Sequence, residues 1–320
     1  MLTVYLLFAL GFALLVKGAD WLIDGSVSLA RRLHISEMIV GLTVVAFGTS
    51  APELTVNVVS AIRGTGGITI GNIIGSNIAN IALILGATGL LATLPIKGSL
   101  LKKEIPFSLL GAVLIFALST GAWSGSATLT MGRIGGAVLI ASFAFFLHWI
   151  WREIRAGHTA EVEELDESHH SISKALLLTG VGLALLIVGG KLVVDNAVAI
   201  ATSFGISESL IGLTLVAIGT SLPELAASIT AALKGKTDLA VGNVVGSNVF
   251  NIFWVLGLSA VIRPIEFERT VTTDLLVLGG FTLLLAGLPF LNHQRALTRW
   301  HAALFLVGYA GYIWFIVQRG

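Results

Sequence analysis

The chain has 320 residues, of which 55% are hydrophobic and only 12% charged, and its mean hydropathy of +0.93 excludes an ordinary soluble domain. A formal net charge of +1 selects no class of partner, and the absence of cysteine excludes disulfides and thiolate metal sites while leaving the compartment undecided.

Apolar stretches lie near 2–30, 36–62, 69–93, 104–119, 129–151, 174–202, 207–233, 239–262, 271–291 and 297–317. Most are long enough to cross about 30 Å of hydrocarbon at 1.5 Å per residue, so the sequence predicts an all-α membrane protein with ten transmembrane helices. No basic region precedes the first apolar run, and Lys17 falls inside it, which reads as a retained first helix rather than a cleaved signal. Between the halves, EVEELDESHH at 161–170 is the one strongly charged stretch and reads as a solvated linker, with cation sensing by its carboxylates and His169 and His170 as the alternative.

One block occurs twice, 171 residues apart and without a gap. SEMIVGLTVVAFGTSAPEL at 36–54 and SESLIGLTLVAIGTSLPEL at 207–225 share 13 of 19 positions. GNIIGSNIANI at 71–81 and GNVVGSNVFNI at 242–252 share 7 of 11. Polar residues repeated inside apolar segments demand a reason, because a carboxylate in lipid is costly, and the two copies are expected to build one site. The chain divides accordingly into a first five-helix repeat at 1–151, an acidic linker at 152–172 on the cytoplasmic side and a second five-helix repeat at 173–320.

Orientation follows from the loops. With the N-terminus outside, twelve Lys and Arg residues fall in inside loops and five in outside loops or the tail, which predicts both termini outside. Each repeat has an odd number of spans, so the second must enter the membrane inverted relative to the first, as in many secondary transporters.

The duplicated blocks carry the chemistry. Pro52 and Pro223 interrupt apolar helices and free backbone carbonyls near mid-membrane, which is tolerated only beside protein or a hydrated cavity. Thr49 and Ser50 sit four and three residues before Glu53, on one helical face, and Thr220 and Ser221 repeat this before Glu224. Asn72, Ser76 and Asn80 form an i,i+4 ladder on the partner helix, matched by Asn243, Ser247 and Asn251. All donors are oxygen, which suits hard cations such as Ca²⁺ and also Na⁺, whereas zinc or copper would select nitrogen or sulfur. The bland reading, two glutamates merely hydrogen-bonded in a packed bundle, is disfavoured by their equivalent positions and by the cost of burying them. The asparagines and serines alone would pass as ordinary helix-to-helix glue.

These residues resemble a family. GTSAPEL with GNIIGSNIAN, and GTSLPEL with GNVVGSNVFN, look like the two alpha-repeats of the cation/calcium antiporter superfamily, in its sodium/calcium exchanger branch. The resemblance implies an inverted ten-helix fold and exchange of Na⁺ for Ca²⁺ by alternating access. It also implies a central calcium site from Glu53, Glu224 and the carbonyls of Thr49 and Thr220. Sodium sites would use Ala46, Thr49, Ser50 and Ser247 on one side and Ala217, Thr220, Ser221 and Ser76 on the other, with Asn80 and Asn251 near the centre. The proton-coupled branch carries an asparagine-centred block in place of GTSXPE, so Thr49, Ser50, Thr220 and Ser221 favour sodium. Branch members often have aspartate where this chain has Asn251; a neutral amide leaves two negative charges, which balance one Ca²⁺ or two Na⁺. The implied partners are Ca²⁺, Na⁺ and the lipid bilayer of a prokaryotic inner or cell membrane, with no cofactor, nucleotide or nucleic acid.

Other features remain. The first and sixth segments run to about 30 residues, too long to cross upright, and are expected to tilt or extend past the lipid. Gly11, Gly18 and Gly25 recur every seven residues, with Gly182 and Gly189 matching the first two; close packing is the default reading, and in the family the smooth face would suit helices that slide across the core. Asp24 and Asp195 correspond across the repeats and read as structural hydrogen-bonding groups rather than a cation entry. Proton-coupled or potassium-dependent antiport is the alternative function, a cation channel would use the same oxygens, and an intramembrane hydrolase lacks a His or Asp partner for its serines.

Overall fold

The computed structural model describes residues 1–123, 127–155, 170–204, 219–291 and 295–319. Residues 156–169 of the linker expected at 152–172, the 207–218 part of the second repeat block and Ala217 lie outside the described residues, while 152–155 continue a helix. Among the described residues seven helices are long and apolar enough to cross a membrane, or eight when the bent pair Glu37–Thr49 and Ala51–Arg63 counts as one span.

The helices follow the predicted stretches closely. The long α1 (Leu2–Arg32) is followed by α2 (Glu37–Val40), a π-helical stretch at Gly41–Val45, α3 (Ala46–Thr49) and α4 (Ala51–Arg63). Ser36 starts α2 as an N-cap, accepting from the Ile39 amide at 3.3 Å. Next come α5 (Gly66–Ile78), a second π-helical stretch at Ala79–Ile84 and α6 (Leu85–Leu91), then α7 (Gly98–Lys102), α8 (Glu104–Ala117) and α9 (Arg133–Arg155). The second half brings α10 (Ile172–Ser203), α11 (Leu222–Leu233), α12 (Thr237–Val249), a third π-helical stretch at Phe250–Leu256, α13 (Gly257–Ile262), α14 (Val271–Gly287) and α15 (Arg299–Arg319).

The interior is built on the duplicated segments. In Gly66–Leu91 and Thr237–Ile262, 72% and 78% of the apolar stretch is buried, against 22% in α1 and in α15. The repeat helices are thus the centre, and the latter two present most of their apolar surface outward, as lipid-facing spans do. The all-α expectation needs one correction, since short extended segments cap both faces. Leu94–Pro95 pairs antiparallel with Ala296–Leu297, and Ser119–Thr120, Thr128–Met131 and Ile265–Glu268 form a three-stranded antiparallel sheet. The sheet accounts for the predicted fifth span starting late, at Arg133 rather than 129. Its strands alternate buried and exposed residues, as in Ile265–Glu268, so the backbone is satisfied by strand pairing.

Ion pairs and hydrogen bonds tie the loops together in two groups. At one face Lys236 pairs with Glu37 (2.8 Å), Lys97 with Asp238 (2.7 Å) and Lys103 with Glu153, and Arg32 donates to the carbonyl of His170. At the other, Arg263 donates to the Ile62 carbonyl and Arg319 to that of Thr270. There Asp274, buried on α14, takes both Arg319 and the Tyr312 hydroxyl, an anchor for α15 that sequence reading did not find.

The two long helices meet each other along their glycines. A Cβ on Gly18 would stand 2.8 Å from the carbonyl oxygen of Gly182, and one on Gly11 3.0 Å from that of Gly189. Gly25 meets Thr179 and Ala175 in the same way, so α1 and α10 run antiparallel. The stripe is therefore a helix-to-helix seam of small residues. It does not form a smooth face toward the core, and the sliding-face expectation is corrected on that point.

Candidate functional site

Proline sets the local geometry. Pro52 and Pro223 occupy the first turns of α4 and α11, where a missing amide costs little and φ is already helical. The preceding residues, Ser50 (φ −82°, ψ 11°) and Ser221 (φ −88°, ψ 6°), leave the helix, and the first pair bends by 47°. Each break sets a Thr-Ser pair beside the start of the following helix, with the glutamate in its first turn. A negative side chain there is favoured by the free amides and the helix dipole.

The two halves then interlock. Ser50 donates its hydroxyl to Oε1 of Glu224 at 2.7 Å, and Ser221 donates to Oε1 of Glu53 at 3.3 Å. Thr49 donates to Oδ1 of Asn243 at 3.2 Å, and Thr220 to Oδ1 of Asn72 at 3.4 Å. Both pairs are exchanged by the 171-residue offset, so the repeats are joined about a pseudo-two-fold. Ser247 adds long contacts of 3.5 Å to Glu224 and to the Ala46 carbonyl. Glu53 and Glu224 are fully buried and close enough for the charge of one to bear on the other.

Each carboxylate keeps a second oxygen, Oε2, buried and without a hydrogen-bond partner. The Ser76 hydroxyl, Oδ1 of Asn80 and both polar atoms of Asn251 are likewise buried and unpartnered. A set of orphaned buried oxygens is costly unless something else satisfies them, and a hard cation is the group whose chemistry matches. Among the described residues no group of three or more His, Cys, Asp or Glu comes together.

Of the predicted site residues, Ala46, Thr49, Ser50, Glu224 and Ser247 are joined in one hydrogen-bond network, Glu53 is paired with Ser221, and Thr220 is paired with Asn72. Asn80 reaches the other repeat through its Nδ2, which donates to Oδ1 of Asn248 at 3.0 Å. Ser76 and Asn251 are buried on the same helices but enter no hydrogen bond, and Ala217 is not among the described residues. Asn80 and Asn251 both sit in π-helical stretches at equivalent positions, a local widening common at functional sites.

Four further residues support the network. Asn77 and Asn248 cross the repeat boundary beside Asn80, Asn57 donates to the Glu53 carbonyl at 2.8 Å, and Ser228, its repeat counterpart, accepts from Asn243 at 3.0 Å. Asn77 and Asn248 are identical in the two blocks, a signal the sequence did carry. Outside the site, Lys234 lies between Asp20 and Asp24. Burial works against its charge, but the two carboxylates outweigh that and hold the ammonium above its ordinary value.

An inverted pair of polar breaks around two buried carboxylates is the architecture of a cation transporter of the membrane. The chain belongs to the sodium/calcium exchanger protein family, which matches residues 3–152 and 174–318. It is 37% identical to the putative antiporter CaxA of Alkalimonas amylolytica and 31% identical to the sodium/calcium exchanger MaX1 of Methanosarcina acetivorans, each over 98% of both chains. Among solved structures, the sodium-calcium exchanger NCX_Mj soaked with 2.5 mM Na⁺ and 0.1 mM Ca²⁺ superposes with a TM-score of 0.82 at 33% identity, covering 98% of each chain.

Proposed function

We propose that the protein exchanges Na⁺ for Ca²⁺ across a prokaryotic cell membrane by alternating access, through one site at the interface of two inverted five-helix repeats. The observation that carries this is the pair of fully buried glutamates, each held at one oxygen by a serine of the opposite repeat and free at the other. Two negative charges balance one Ca²⁺, and the same charges balance two Na⁺, so the ions compete for one cage. Oε2 of Glu53 and Glu224 would bind calcium together with the carbonyls of Thr49 and Thr220. Ala46, Ser50 and Ser247, with Ala217, Ser221 and Ser76 in the mirror position, would serve sodium, and Asn80 and Asn251 would complete the centre with neutral oxygens.

Ten spans would be reached with α8 and the apolar stretch at 207–233, of which α11 is a described part, completing five in each half. Antiparallel contact between the equivalent helices α1 and α10 is what an inverted pair requires. The face bearing Lys97, Lys103, Lys234 and Lys236 would be cytoplasmic by the distribution of basic loops, placing both termini outside. Named relatives support the ion assignment, the exchanger MaX1 for sodium and calcium among them.

The test is calcium-45 uptake into proteoliposomes under imposed sodium, proton or potassium gradients. Uptake driven by an outward sodium gradient alone is expected. Uptake that follows the proton gradient, requires potassium or persists with no counter-ion would replace this reading with proton coupling, potassium dependence or a channel.

A further inference from the structure

The exchange that relates the site contacts fails at one kind of contact, the ion pairs between the long helices and the ends of the site helices. Lys234 caps α11 at the basic face, with its Nζ 2.5 Å from Asp20 and 2.7 Å from Asp24 of α1. The 171-residue offset carries Lys234 onto Arg63, Asp24 onto Asp195 and Asp20 onto Lys191. Arg63 ends α4 at the opposite face as Lys234 follows α11, and Asp195 lies on α10 as Asp24 lies on α1. Both partners of a second bridge are therefore present, a base on a site helix and an acid on a long helix. The bridge is not made. Asp195 pairs with Lys191 on its own helix at 2.7 Å, and among the described residues exposed Arg63 has no ion pair.

A pseudo-symmetric protein in one conformation has its equivalent contacts made at one face and broken at the other, and its reverse conformation exchanges them. We propose that Lys234–Asp24 and Arg63–Asp195 are the two halves of an alternating lock. The first holds α1 against the site helices at the basic face while the ion site communicates with the opposite face; in the reverse state it opens and Arg63–Asp195 closes. The locks are unequal, because Asp20 reinforces the first whereas Lys191 competes with Arg63 for the second. The first lock is accordingly the stronger of the two. This rests on the alternating-access reading above, and it adds four residues remote from the ion cage that set which face is open.

The chain has no cysteine, so paired cysteines can be introduced into the full-length protein without background. D24C/K234C and R63C/D195C are reconstituted in proteoliposomes and treated with a short thiol-specific cross-linker, with sodium-driven calcium-45 uptake measured in parallel. D24C/K234C is expected to cross-link in the resting protein. R63C/D195C should cross-link only when both ions are supplied and the protein turns over, and each cross-link should stop exchange until a cleavable linker is cut. Adding Lys191→Ala to D24C/K234C, in which Arg63 and Asp195 are intact, should lower its resting cross-linking about two- to five-fold, the population shift expected when Asp195 is freed of one exposed competing charge. If exchange runs but R63C/D195C never cross-links, or cross-linked D24C/K234C still exchanges, the lock is wrong while the function stands. If the unmodified chain shows no sodium-driven uptake, the functional reading falls and the lock falls with it.

Discussion

Ser50 donates to Glu224 at 2.7 Å, whereas Ser221, its repeat counterpart, donates to Glu53 at 3.3 Å. Hydrogen bonds to a buried carboxylate contribute about 1.5–3 kcal/mol and weaken steeply with length. Ser50→Ala is therefore expected to lower calcium affinity by about ten- to a hundred-fold, with Ser221→Ala costing clearly less. Titration calorimetry on both variants decides it; equal losses would show that the shorter bond has no special part in holding the cage.

Glu53→Gln and Glu224→Gln each remove half of the charge that balances Ca²⁺. Each is expected to cut calcium-45 transport by at least about tenfold, the equivalent of about 1.4 kcal/mol, without loss of fold, since Gln keeps the shape and relieves a buried charge. Wild-type rates in both single variants would remove the glutamates from the transport site.

Asn251 is buried with neither polar atom partnered. Asn251→Asp adds a third negative charge and so makes room for a further monovalent ion. The sodium dependence of calcium efflux should become steeper, with a higher Hill coefficient than wild type. An unchanged sodium curve would place residue 251 away from the ions.

A Cβ on Gly18 would stand 2.8 Å from the Gly182 carbonyl oxygen and 2.9 Å from the Leu186 amide nitrogen, both backbone atoms that have nowhere to go. Gly18→Ala should therefore destabilise the protein by about 1–3 kcal/mol through overpacking, seen as a lower melting temperature in detergent. Gly180→Ala, on the facing helix with nothing within 4 Å, is the control and should be neutral or mildly stabilising. Equal melting temperatures would mean that the seam yields freely.

The sequence showed the duplicated blocks, the proline breaks, the paired glutamates and the segregation of basic loops, because each depends on residue types at fixed spacing. Partners across the fold were harder. The glycine period was plain from Gly11, Gly18 and Gly25, but nothing local says that a stripe faces Gly182 and Gly189 rather than the core. The π-helical turns around Asn80 and Asn251 are decided by packing between the repeats and leave no mark in composition. Asp274 and Arg319 are 45 residues apart and outside the blocks, so no repeat pointed to them. Asn77 and Asn248 were within reach: they are identical in both copies, and applying the offset to pairs of residues rather than single positions would have singled them out.

The glycine seam has a mechanical consequence. With the backbones of α1 and α10 in contact at their glycines, neither helix can withdraw without carrying the other. In the exchange proposed above the two would therefore move as one body, and because they are antiparallel a single stroke that uncovers one entrance would cover the other. A leak with both entrances open would then require the seam itself to part, which would make tight coupling a property of Gly11, Gly18, Gly25, Gly182 and Gly189, far from the buried glutamates.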